Sequence, residues 1–174
     1  RASVLTEASN VITFPTNAAY CVTGSANTTG QGDIVPLTAS RALAVVGMDA
    51  VNTGFGNALI VDYAGTGTGA TVTPGRPTMI APGSRTIGHR LALLSNKTAL
   101  HLAPQSSSTF SSLFLEALSI EGDGVRQGAA VTIARTDNQF DFCVLSSTTA
   151  LVAYVDSTNS NYPTVRPVAL GSVV

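Results

Sequence analysis

The chain of 174 residues has no tryptophan, one lysine (Lys97), two cysteines and only 11% charged residues. The charged share is about half that of an ordinary soluble domain. With a net charge of −1 and Arg76, Arg85, Arg90, Arg126 and Arg135 standing singly, there is no basic patch for a nucleic-acid backbone, so no nucleic-acid partner is expected. No apolar run nears the roughly 18 residues that cross a bilayer, and no signal-peptide core is present, so no membrane insertion is expected. Cys21 and Cys143 have no Cys or His neighbour at zinc spacing. They read as small buried strand residues, and a disulfide between them would close a long loop. There is no G-x-S-x-G elbow, and His89 and His101 have no acid at useful spacing, so both are expected in structural or surface roles. The chain begins at Arg1 and is expected to be a processed product or part of something longer.

What is abundant is Thr, Ser, Gly and Ala around an apolar fraction of 44%, the composition of short strands joined by tight turns. Three segments align without gaps, starting at Leu37, Leu94 and Leu145, and each reads Leu-[Ser/Thr]-x-x-x-Ala-Leu. In each, a polar turn sits between two apolar strands, which predicts a hairpin. Upstream strands end at Leu37, Leu94 and Leu145; downstream ones end at Asp49, Gln105 and Asp156. A polar loop follows and closes on Phe55, Phe110 or Tyr162, which opens the next strand: 57–63, 113–120 or 165–172. Gly-rich turns at 65–69 and 122–124 lead to a fourth strand beginning at Gly75 or Gly128. The stretch 112–120 has helical propensity, but the alignment makes it a strand.

The third copy stops after Val174, and residues 1–14 resemble the missing Gly turn and fourth strand. The expected fold is therefore all-β: a single domain, 1–174, of three diverged four-stranded repeats. Repeat one covers about 38–94, repeat two 95–145, and repeat three 146–174 completed by 1–37. The array is expected to be propeller-like and closed by pairing of the N- and C-terminal strands, which would leave no free sheet edge. The alternative is a three-fold closed fold such as a β-trefoil or β-prism, although the QxW signature of many trefoils is absent.

Glycoside hydrolysis needs two carboxylates facing across a cleft. Glu116, Glu121, Asp123, Asp137 and Asp141 share one copy and read as solvated turn carboxylates instead. The loops at Asp49 and Asp156 carry oxygen ligands but match no D-x-[DN]-x-[DN]-G pattern, so Asx-turns are expected rather than calcium, and no cofactor is implied. No catalytic residues are assigned, and the chain is expected not to be an enzyme. Phe55, Phe110 and Tyr162 occupy equivalent loop ends, as shallow binding platforms or as buried pins.

The pattern Ala-Leu-x-x-x-x-x-Asp, a loop with Asn and Gly, an aromatic residue, a hydrophobic strand and then G-T-G-x-x-V-T-x-G-x-P resembles the β-propeller-type repeats of bacteriophage virion surface proteins. It is clearest over 42–80 and next over 150–173, while the middle copy carries Gln105 in place of the Asp. The resemblance implies a non-enzymatic structural or adhesion protein at a virion surface: a fibre, receptor-binding or capsid-decoration module. Its partners would be other virion proteins or a host-surface glycan, and its state a homo-oligomer. A secreted lectin-like module is the alternative, with Asp49, Asn52, Phe55, Phe110, Asp156, Asn159 and Tyr162 as ligand contacts.

Overall fold

A computed structural model of the chain describes residues 6–8, 11–13, 32–47, 56–65, 70–80, 88–106 and 111–172. Among them the protein is all-β, with no α-helix. The strands are β1 (Thr6–Ala8), β2 (Val11–Thr13), β3 (Asp33–Thr38), β4 (Arg41–Gly47), β5 (Gly56–Ala64), β6 (Thr71–Pro74), β7 (Thr78–Ile80), β8 (Arg90–Ser95), β9 (Thr98–Ser106), β10 (Ser111–Glu121), β11 (Gly124–Ser146), β12 (Thr149–Asp156) and β13 (Tyr162–Ala169). A 3-10 turn, Leu170–Ser172, follows β13. The stretch with helical propensity is strand β10.

Every pairing is antiparallel. β1 and β2 form a small hairpin. One sheet runs β3-β4-β5-β6, with β7 also on β5, and another runs β13-β12-β11-β10-β9-β8. Within them one hairpin recurs three times. Pro36 faces Ala42, Leu93 faces Ala99 and Val144 faces Ala150, and in each case the register slips one step later, at Leu37, Leu94 and Leu145. The cause is local turn chemistry. The hydroxyls of Thr38, Ser95 and Ser146 accept the N–H two residues on, at 3.2, 3.1 and 3.2 Å. The next turn carbonyl, of Ser40, Lys97 or Thr148, accepts the N–H of Tyr63 or Ile120 from the third strand or of Leu170 just after it, at 2.8, 2.8 and 2.9 Å.

The fourth strand carries a second shared device. β6 and β7 break at Gly75, and β11 shifts register against β10 at the corresponding Gly128. A Cβ on either glycine would lie 3.0 Å from a carbonyl oxygen, that of Ile60 or of Ala117. Glycine lets the strand approach this closely without displacing the carbonyl.

Three units result. The first is β3–β7; the second is β8, β9, β10 and the start of β11; the third is the end of β11, β12 and β13. Each sheet has a front and a back. The front of the first unit, with Leu43, Val45, Ala58 and Ile60, packs on the back of the second, with Leu91, Ala99, Leu118 and Val125. The front of the second, with Leu100, Leu102, Leu115 and Ala117, packs on the back of the third, with Ala150, Val152, Tyr154 and Val168. The second unit is thus covered on both faces. The first strands of successive units also touch, β3 on β8 and β8 on β11. They carry Asp33, Arg90 and Asp141 at one equivalent position. Asp33 accepts the N–H of Leu91 at 2.7 Å, and Arg90 lies 3.8 Å from Asp141.

The described strands form open sheets. β1 and β2 bond to one another, and neither belongs to the sheet of β13, whose outer edge has no partner among the described strands. The N–H of Leu170 points to Thr148, towards β12. By strand alternation the N–H groups of odd-numbered β13 residues point outward. Two of those positions are Pro163 and Pro167, which have no N–H to give, so the edge is blunted against strand addition.

Candidate functional site

Of the seven residues expected to contact a ligand, Asp49, Asn52, Phe55 and Phe110 lie outside the described residues, as does Cys21. Asp156, Asn159 and Tyr162 are brought together in the β12–β13 loop. The Asp156 carboxylate accepts the Thr158 N–H at 2.9 Å and its hydroxyl at 2.6 Å. These bonds hold its pKa below the usual carboxylate range. The Asp156 carbonyl accepts the N–H groups of Asn159 (3.1 Å) and Asn161 (3.0 Å), and the Asn159 carbonyl accepts that of Tyr162 (3.1 Å). Ser160 and Asn161 take left-handed conformations, φ 54° and 60°. The Asp156 carboxylate therefore shapes its own loop, as an Asx-turn does. Tyr162, at the end of this braced loop, is 62% exposed.

The polar group sealed most deeply is elsewhere, and it corrects the reading of the histidines. His101 sits on β9 between Leu100 and Leu102 and points to the back of the second unit. Its cross-strand partner on β10 is Glu116, so an acid does stand beside it, and Glu116 is buried, not a solvated turn carboxylate. His101 Nδ1 donates to Glu116 Oε1 at 2.8 Å, and Gln127 Nε2 donates to Glu116 Oε2 at 2.6 Å. His89, just before β8, stacks on His101 with ring centroids 5.0 Å apart and Nδ1 2.8 Å from His101 Nε2. Both rings are fully buried.

Nδ1 of His101 is thus engaged by the Glu116 carboxylate, and its Nε2 shares one hydrogen bond with His89 Nδ1. His89 Nε2 has no hydrogen-bond partner. Burial, the neighbouring His101 and Arg90 lower the His89 pKa from 6.5 to about 3, so the ring is neutral. The far side of that ring meets the first unit at Gly56, where a Cβ would stand 2.8 Å from His89 Cε1. The chain Gln127–Glu116–His101–His89 thus ends against backbone at the seam between two units. It can hold and orient a proton within the core; no hydroxyl or thiol bonds to His89 Nε2.

Of the other expected carboxylates, Glu121, Asp123 and Asp141 are on the surface, and the Asp137 side chain lies outside what the structure describes. Glu121 pairs with Arg126 at 2.9 Å, and Asp123 with Arg41, which also lies 3.2 Å from Asp62. Among the described residues no cluster of three His, Cys, Asp or Glu is placed to hold a metal. The thiol of Cys143 is free and exposed. A shallow depression of about 390 Å³ opens on the front of the third unit, lined by Gln139, Asp141, Ala153, Val155, Pro163 and Val165.

The missed pairing of His101 with Glu116 had a faint sequence signal, since the two stand about equally far from the β9–β10 loop and must meet if that hairpin is symmetric. His89 had none, because it arrives from outside the hairpin. No protein-family model, curated protein or solved structure matches the chain.

Proposed function

We propose that this chain is a non-enzymatic structural and adhesive module of a virion surface, acting through assembled copies rather than through one deep pocket. The observation that carries the reading is the front of the third unit, a small and nearly uncharged sheet surface that no described strand covers, at the end of a stack whose other fronts are covered. Its apolar residues stand exposed where the other two units bury theirs, which supports association. The virion setting comes from the resemblance of residues 42–80 and 150–173 to phage propeller-type repeats. Units stacked front to back with their first strands in touch fit the propeller-like part of that resemblance. A ring closed within one chain by a terminal strand would have to bond the edge that Pro163 and Pro167 blunt, which favours contact between chains.

A lectin-like reading is favoured by one observation, the exposed Tyr162 ring on its braced loop, since an aromatic face stacks on sugar rings. Antibodies raised against the chain should decorate the exterior of intact virus particles in immunogold electron microscopy. Particles purified free of the chain would overturn the proposal. On a glycan array, binding abolished by Tyr162→Ala would favour the lectin-like reading.

A further inference from the structure

We propose that the front of the third unit docks on the same face of a second copy, giving a two-fold dimer. This inference rests on the assembly reading above and gives that surface its partner.

The repeat itself identifies the face as an interface. Register equivalence places Ala58, Leu115 and Val165 at one position of the three units; the first two are fully buried, whereas Val165 is 65% exposed. Leu37 and Leu94, at the shared bulge, pack against the two inter-unit cores, while their counterpart Leu145 is 59% exposed. Ile60 and Ala117 are buried, while Pro167 is exposed. The third unit therefore repeats the apolar residues that the other two hide, without a described sheet to hide them.

The occupant follows by elimination. Within the stack a front is covered by a back, and the back that would complete the series belongs to the first unit. Its Ala44, Leu59 and Val61 are already buried in a cluster of their own. Strand addition at the neighbouring edge is blunted by Pro163 and Pro167. Among the described residues, the exposed sheet face of matching character is therefore this front on another molecule. It is suited to meeting itself, since its single described charge, Asp141, lies at the rim beside Arg90. A two-fold contact between identical patches closes on itself.

The face is small. Three strands at about 4.8 Å spacing and some eight residues of length cover roughly 350 Å² per copy. That is below the roughly 800 Å² per partner of a stable complex, so a weak, reversible dimer is expected.

Sedimentation equilibrium of the full chain tests this. The wild type should show a monomer–dimer equilibrium. Val165→Glu and Val165→Lys should each weaken it at least tenfold, because either leaves like charges on a desolvated face. Met79→Glu, at an exposed position of the first unit, should leave it unchanged. Far-UV circular dichroism should match wild type in all three. A wild type that stays monomeric up to about 1 mM overturns the proposal. So does a dimer that survives both Val165 variants, or a closed trimer. These outcomes are separate from particle labelling, where a negative result removes the virion reading and leaves the dimer standing.

Discussion

The imidazole of His89 stacks on that of His101 with 2.8 Å between Nδ1 and Nε2, and this contact joins the loop before β8 to the middle of β9 at the seam between the first two units. Because His101 is held in turn by Glu116, the core here is ordered by direction as well as by packing. A buried polar chain whose members are bonded specifies one arrangement, whereas its unpaired end is costly.

The first consequence is acid sensitivity. The folded-state pKa of His89 lies near 3, against 6.5 for the free side chain. Between those values the unfolded chain binds the extra proton, so stability rises with pH there. The contribution is fully present above pH 6.5 and is lost as pH falls towards 3, by a few kcal/mol. Urea unfolding at a series of pH values should show this slope in the wild type and a flatter one in His89→Phe. Parallel curves for the two proteins would refute the assignment.

The same cross-strand slot is filled differently in each unit: Ala44 faces Leu59, His101 faces Glu116, and Val152 faces Arg166. Glu116→Leu alone strands the His101 N–H and should cost about 2–4 kcal/mol, with His101→Ala costing a similar amount. The double variant copies the first unit's own pair. Its loss should fall short of the sum of the singles by at least about 1 kcal/mol. Additive losses in chemical denaturation would show that the pair is not coupled.

Gly75 and Gly128 are constrained by the carbonyls of Ile60 and Ala117, each 3.0 Å from where a Cβ would stand. Alanine at either position should destabilise by about 1–2 kcal/mol through displacement of the paired strand. Gly171→Ala, with nothing within 4 Å of the new methyl, should stay within about 0.5 kcal/mol of wild type. Thermal melts of the three variants give the comparison.

Equivalent positions should not have equal energies. Leu115→Ala empties a fully buried site and should cost about 2–5 kcal/mol. Val165→Ala, at the same place in the third unit, should cost less than about 1 kcal/mol when measured at concentrations where the chain is monomeric. Equal losses would mean that the third front is covered within the monomer.

These contrasts separate what was readable in the sequence from what was not. The hairpins were readable because their cause is local: Thr38, Ser95 and Ser146 each brace the turn they begin, so a short motif carries the geometry. Strand β10 was readable only by alignment, its neighbours in the sheet outweighing its helical propensity. The His89–His101–Glu116 chain was not readable, since it joins three segments across a hairpin and a seam between units. The paired ends expected of a closed array are not among the described residues: β1 pairs with β2, and prolines sit on the outer edge of β13. Of the expected contact residues that the structure describes, the Asp156 carboxylate is occupied by Thr158, and Tyr162 presents a ring.

Amide hydrogen exchange tests the front-to-back stack most directly, because protection follows burial of whole strands. The account predicts that the amides of Leu100, Leu102 and Leu115, in the unit covered on both faces, exchange last. The outward N–H group of Val165 on β13 should exchange first among the strand residues named here. Protection that is equal across the three units, or greatest in β13, would contradict the stack.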